Sequence, residues 1–130
     1  MKNILAIGAH FDDVELGAGG TLAKWSAEGA FVLKLTLTDN VTKFDSLGIN
    51  VSFDDSIKQS KNACKILGIK QIEPEKYLPC TNLEYSAANM QMVEKIIFDY
   101  NIDTVLLHFP SDMQQDHVEA SRISYVAARY

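Results

Sequence analysis

Cysteine is scarce in this chain. Only Cys64 and Cys80 occur in 130 residues, without the short CxxC spacing of a zinc knuckle or redox motif. A disulfide framework is excluded, and a reduced, cytoplasmic setting is the expectation. Positive charge is also in short supply: twelve Lys and Arg face seventeen Asp and Glu, a formal charge of -5. That balance lacks the electrostatic footprint needed for phosphate backbones or anionic lipid surfaces, so nucleic acid is not an expected partner. Long apolar runs are missing too. The run from Ile4 to Ala9 is broken by His10, Asp12 and Asp13 before a signal-peptide core or membrane span could form.

What remains is an ordinary globular composition, 47% apolar and 22% charged, on a chain that fits one domain over residues 1–130. Residues 3–9 form an apolar stretch of strand length, the kind buried on both faces of a parallel sheet. A Gly-rich turn at residues 17–20 leads into a helix over 21–28, which Gly29 can end, and 31–38 reads as a second strand. Residues 39–53 are polar and aperiodic, a long loop of the sort that covers a substrate. A second helix follows, with Asp54 as cap and Gly68 as stop. Then come a short strand at 77–80, a helix carrying Met90, Val93, Ile97 and Tyr100 on one face, a strand at 104–108, and a helix from Val118. Alternating strands and helices predict an α/β fold, a Rossmann-like three-layer α/β/α architecture with a mainly parallel sheet. The last helix has neither a terminal Gly nor a following strand, which leads us to expect truncation at the C-terminus.

The chemistry concentrates at Ala9-His10-Phe11-Asp12-Asp13-Val14-Glu15, where an imidazole and two adjacent carboxylates leave the C-terminal end of the first strand. Ligands of open parallel sheets bind outside that edge. Such groups beside an apolar strand are costly unless paired or holding a metal. Catalytic zinc commonly takes three His or carboxylate ligands and leaves a fourth position open. His10 and Asp13 supply two. His117, in the segment after the fourth strand, emerges at the same edge and is the third candidate.

These two segments resemble the signatures of the N-acetylglucosaminyl-phosphatidylinositol de-N-acetylase-like and LmbE-like deacetylases (PIG-L superfamily). The first signature is Ala-His-Pro-Asp-Asp-x-Glu followed by a Gly-rich turn, here Ala9 to Glu15 and then Leu16-Gly17-Ala18-Gly19-Gly20. The second ends in Asp-His, here Asp116-His117. The resemblance implies that His10, Asp13 and His117 bind Zn2+ or another divalent metal, with Asp12 as general base. A zinc ion in such a set lowers the pKa of bound water to about 7 and polarises a carbonyl, while a neighbouring carboxylate takes the water's proton. The implied reaction removes an N-acetyl group from an amino-sugar or glycoconjugate. Asp116 is placed with the catalytic machinery, orienting an imidazole or interacting with Asp12. Glu15 matches the signature and could equally cap the following turn.

Three departures bear on the substrate. Phe11 stands where the family has Pro, loosening the turn without removing a ligand. Gln114 stands three residues before His117, where many relatives have His, and an amide cannot shuttle a proton. Ser56 and Gln59 replace an Arg and a Glu early in the second helix. His108, Gln114 and Asp112 are candidates for substrate contact. Trp25 is expected in the core, and Cys80 has no His or Asp at informative spacing to make it a nucleophile.

Other functions remain to be weighed. A nucleotide-binding Rossmann module needs G-x-G-x-x-G, and the third Gly position here is Leu22. A receiver-like signalling module needs an acceptor Asp after its third strand, and none lies at Cys80-Thr81-Asn82. A non-catalytic metal- or sugar-binding domain would retain the same ligands without turnover. The oligomeric state is open, a homo-oligomer included.

Overall fold

The structure, a computed structural model, describes residues 2–129. Its central sheet holds four strands: β1 (Asn3–Gly8), β2 (Phe31–Thr36), β5 (Lys70–Ile72) and β6 (Thr104–Leu106). All pair in parallel, in the order β5-β2-β1-β6. Four helices cover it: α1 (Asp13–Ala27), α2 (Phe53–Leu67), α3 (Ala87–Asp99) and α4 (Gln115–Ala127).

β1 shows why the sheet needs two helical layers. Strand side chains alternate between faces, and here both faces are apolar. Ile4 and Ala6 pack with Val14 and Leu22 of α1 and Cys64 of α2. Leu5, Ile7 and Ala9 pack with Met90 and Val93 of α3 and Ala120 and Ile123 of α4. Ile4, Leu5, Leu22 and Leu33 are fully buried, each contributing roughly 1.5–3 kcal/mol relative to exposure. Trp25 joins the first of these clusters from its edge, as expected of a core residue.

The chain moves outward from β1 through β2 to β5, then returns to add β6 on the other flank of β1. The order therefore reverses between β1 and β6. This is the switch point at which open α/β sheets form a crevice at their carboxyl ends.

The structure corrects several local expectations. Residues 17–20 are helix rather than turn, and α1 begins at Asp13. Val14, Ala18, Leu22 and Trp25 form one apolar stripe against the sheet, and its burial outweighs roughly 1 kcal/mol of lost propensity per Gly. The third sheet strand is β5, whereas residues 77–80 make only an isolated bridge, Leu78 to Thr38. β5 is an edge strand with one buried residue, Ile72, so its apolar signal is faint. The long loop contains a small antiparallel hairpin, β3 (Thr42–Phe44) and β4 (Ile49–Val51), around a single 3-10 turn, Asp45–Leu47.

α2 is capped by Ser52, whose hydroxyl accepts from the Asp55 amide at 3.2 Å, rather than by Asp54. It does stop at Gly68, whose φ of 71° is open to glycine at little cost. α4 starts at Gln115 rather than Val118. Tyr100 closes α3 as its C-cap instead of extending the apolar face.

Candidate metal centre

Three segments meet at the switch point. The turn after β1 supplies His10 and Asp13, the segment after β6 supplies His108 and Asp112, and the first turn of α4 supplies Asp116 and His117. The His10 amide donates to Asp13 Oδ2 at 2.7 Å, folding the turn back on itself. His10 Nδ1 lies 3.4 Å from the same oxygen, and His117 Nε2 lies 3.2 Å from Asp13 Oδ1. The carboxylate of Asp13 thus stands between two imidazoles. Donor atoms of His10, Asp13 and His117 all fall within 4.8 Å of one another, an arrangement able to hold a metal ion.

Each of these imidazoles has a carboxylate at its other nitrogen. His10 Nε2 donates to Asp116 Oδ2 at 2.9 Å, and His117 Nδ1 meets Asp112 Oδ2 at 3.2 Å. With Nε2 of His10 and Nδ1 of His117 protonated, the nitrogens facing Asp13 carry the lone pairs a cation requires. Asp116 is fully buried and accepts also from the Thr81 amide at 2.7 Å and the Leu83 amide at 3.1 Å. Burial works against a charged His10, but hydrogen bonds to Asp13 and Asp116, and their charges, outweigh it and lift the group to about 8. Burial likewise opposes ionisation of Asp13, yet hydrogen bonds from His10 and His108 hold its carboxyl well below the usual range. The cluster is therefore poised as anion against cation, and a divalent ion would replace the protons that now balance it.

Two residues that carry no signature hold the first turn in place. Lys34, fully buried in β2, donates to the Phe11 carbonyl at 2.5 Å, to Ser60 Oγ at 2.6 Å, and to Glu15 Oε1. The Thr38 hydroxyl donates to the Ala9 carbonyl at 2.7 Å. Sequence reasoning missed both. The available signal was Lys34 itself, a lone charge inside Phe-Val-Leu-Lys-Leu-Thr, where an unpaired ammonium would be prohibitive. Glu15 is its partner, and it also lies in the first turn of α1, where an acid is favourable.

The remaining candidates are spread around this centre. Asp12 sits at the N-cap of α1 without a side-chain capping bond. It is exposed and lines a cavity of about 410 Å³ with Glu15, Asn40, Ser56 and Gln59. Asp13 and His108 line a neighbouring cavity of about 360 Å³. His108 Nε2 lies 3.0 Å from the Ala9 amide and 3.1 Å from Asp13 Oδ2. It can accept from the first or donate to the second, not both at once. Its ring stacks on that of His117, with centroids 4.0 Å apart. Gln114 caps α4, its Oε1 accepting from the His117 amide at 2.9 Å. Asp112 accepts from the Gln114 amide, and this bond first, then His117, holds its carboxyl below the usual range.

The donor set suits a borderline divalent cation such as zinc, with two imidazoles, one carboxylate, and an orienting carboxylate behind each imidazole. Among the described residues no helix is long and apolar enough to cross a membrane.

The chain is 32% identical over 134 residues to a protein of Escherichia coli (strain K12) named "Uncharacterized deacetylase YaiS", covering 98% of this chain and 69% of that one. Among solved structures it is similar to the N,N'-diacetylchitobiose deacetylase of Pyrococcus horikoshii, with a TM-score of 0.82 and 26% identity over 97% of this chain and 49% of the other. It also resembles GalB, the 4-carboxy-2-hydroxymuconate hydratase of Pseudomonas putida KT2440, with a TM-score of 0.84, 98% of this chain and 55% of that one covered. At 18% identity that likeness shows the shared α/β fold alone. The chain spans about half the length of these solved structures. The GlcNAc-PI de-N-acetylase (PIG-L) family profile matches residues 5–128 and so takes in both signature segments; the chain belongs to that family.

Proposed function

We propose that this chain carries the metal-binding and general-base half of an N-deacetylase that hydrolyses the acetamide of an N-acetylated amino-sugar or glycoconjugate. The observation that carries the reading is the convergence of His10, Asp13 and His117, each imidazole backed by its own carboxylate. A bound zinc ion would supply Lewis acidity toward an amide carbonyl and lower the pKa of a water.

The protein's own groups divide the remaining work. Asp12 is exposed, adjacent in sequence to Asp13, and free of capping duty. In this reading it is the base that takes a proton from the attacking water and returns it to the departing amine. Asp116 and Asp112 are positioning residues, which fix the ring orientation and tautomer of His10 and His117. Gln114 spends its side-chain oxygen on the cap of α4. That commitment leaves proton return to Asp12, in keeping with an amide's inability to titrate. Ser56 and Gln59 line the 410 Å³ cavity together with Asp12, and in this reading their polar groups meet sugar hydroxyls.

The test is acetate release from N-acetylglucosamine derivatives by the full-length gene product, read together with bound zinc. Asp12→Asn should retain zinc and lose turnover, and full activity would remove Asp12 as base. His117→Ala should lose zinc on dialysis, and unchanged metal content would overturn the ligand set. A protein that binds zinc with all three ligands and releases no acetate from any acetylated sugar would instead be the non-catalytic binding domain.

A further inference from the structure

His10 presents its two nitrogens to two different groups of donors. Nδ1 faces Asp13, whereas Nε2 faces Asp116, and on that second side donor atoms of His10, Cys80 and Asp116 also lie within 4.8 Å of one another. The turn that carries Cys80 is anchored there by its neighbours. The Cys80 amide donates to Asp39 Oδ1 at 3.2 Å, and the Thr81 and Leu83 amides donate to Asp116. The thiol is a free one, half-buried, 3.8 Å from Thr42 Oγ1. We infer that His10 Nε2, Cys80 Sγ and Asp116 form a second cation site, for a soft divalent ion such as zinc or cadmium, back to back with the His10–Asp13–His117 site.

The donors argue for that class of ion. Imidazole, thiol and carboxylate together are a zinc-type set, and the sulfur raises affinity for cadmium over hard ions such as magnesium. Burial, then the charges of Asp116 and Asp39, push the Cys80 thiol above its ordinary value. It is thus a protonated thiol and a poor nucleophile at neutral pH. A coordinating cation reverses this, because a bound thiol gives up its proton outright. Binding releases the Cys80 proton to solvent and moves the Nε2 proton of His10 off Asp116. That proton goes to solvent in either state, because Nδ1 carries its own proton when the first site is empty and a cation when it is filled. The second site is therefore the weaker of the two when both are occupied, and filling it alters the donor strength of His10 toward the first. This inference rests on the deacetylase reading only through His10, which both sites share.

The test titrates the full-length protein with cadmium under reducing conditions, following thiolate-to-cadmium charge-transfer absorption, and measures zinc stoichiometry by dialysis against excess zinc. Wild type should show the thiolate band and bind two zinc ions. Cys80→Ser and Cys80→Ala should lose the band and bind one. Cys64 remains in both variants as an internal control, and the retained zinc reports that they are folded. His117→Ala should keep the band and bind one. Absence of the band in wild type, or its survival in Cys80→Ser, would overturn the second site while leaving the first intact. Loss of the band in His117→Ala would mean a single merged site and would also overturn it. Loss of zinc from the first site in His117→Ala with the band retained separates the two ideas, since only the deacetylase reading depends on that ligand.

Discussion

Lys34 and Glu15 form an ion pair directly beneath the turn that presents His10, Asp12 and Asp13. The ammonium is fully buried, and it also holds the Phe11 carbonyl inside that turn. Since Phe11 stands where the family has Pro, the stiffness a ring would give the turn is supplied here by a hydrogen bond from the strand beside it. Lys34→Met should therefore cost stability, because Glu15 is left partly buried without its cation, about 3 kcal/mol by analogy with broken buried pairs. Pairing it with Glu15→Leu should restore most of that loss, since apolar replacements of a buried pair are often neutral. Zinc affinity should not recover with it, because the Phe11 carbonyl still lacks its donor. Urea unfolding and zinc titration of the two variants check this, and a double variant restored in both respects would deny the turn its clamp.

Asp116 and Asp112 occupy matching positions behind His10 and His117 but differ in exposure. The side chain of Asp116 is fully buried, whereas that of Asp112 is 32% exposed. Asp116→Asn should weaken zinc binding about 10- to 100-fold, the usual effect of losing a carboxylate behind a ligating His. Asp112→Asn should do less, because water can replace part of its interaction. Competition with a chromophoric chelator gives both affinities. Equal losses would show that burial does not set the strength of these contacts.

How far the sequence reveals this arrangement depends on the range of the interactions involved. The parallel sheet and the meeting of His10, Asp13 and His117 follow from apolar strand patterns and from the rule placing ligands at the carboxyl edge. These were legible because each rests on a strong local signal. Lys34 and Thr38 were not, since their partners, Glu15, Ser60 and the Ala9 and Phe11 carbonyls, lie 19 to 29 residues away. No periodicity encodes such pairings. β5 was missed because an edge strand buries too little to need an apolar run. The helical state of residues 17–20 was obscured for the opposite reason: glycine's low propensity is a local signal, and the stripe of Val14, Ala18, Leu22 and Trp25 overrides it.

That last correction has a measurable consequence. An added Cβ at Gly20 meets nothing within 4 Å, and the residue is exposed in the middle of α1. Gly20→Ala should stabilise the protein by roughly 0.5–1 kcal/mol through reduced backbone entropy of the unfolded chain. Chemical denaturation reads the change. A destabilised variant would restore the turn that the sequence suggested.

Tyr77 connects the same motif turn to alkaline pH. Its ring meets Phe53 edge-on with centroids 5.0 Å apart and lies 5.8 Å from Phe11. Its hydroxyl is buried without a hydrogen-bond partner among the described residues. Burial first, and then the charge of Glu73, push that hydroxyl up to about 12 from an ordinary value of 10. The folded state therefore favours the neutral phenol more than the unfolded state does. This contribution is fully present below pH 10, and it is lost as the pH rises from 10 through about 12. Tyr77→Phe should flatten that part of the stability profile. At neutral pH it should leave stability unchanged or slightly raised, because no hydrogen bond is lost and the three-ring contact is kept. Unfolding midpoints compared between pH 7 and pH 11 test both halves. A variant as alkali-sensitive as wild type would assign the high-pH loss to another group.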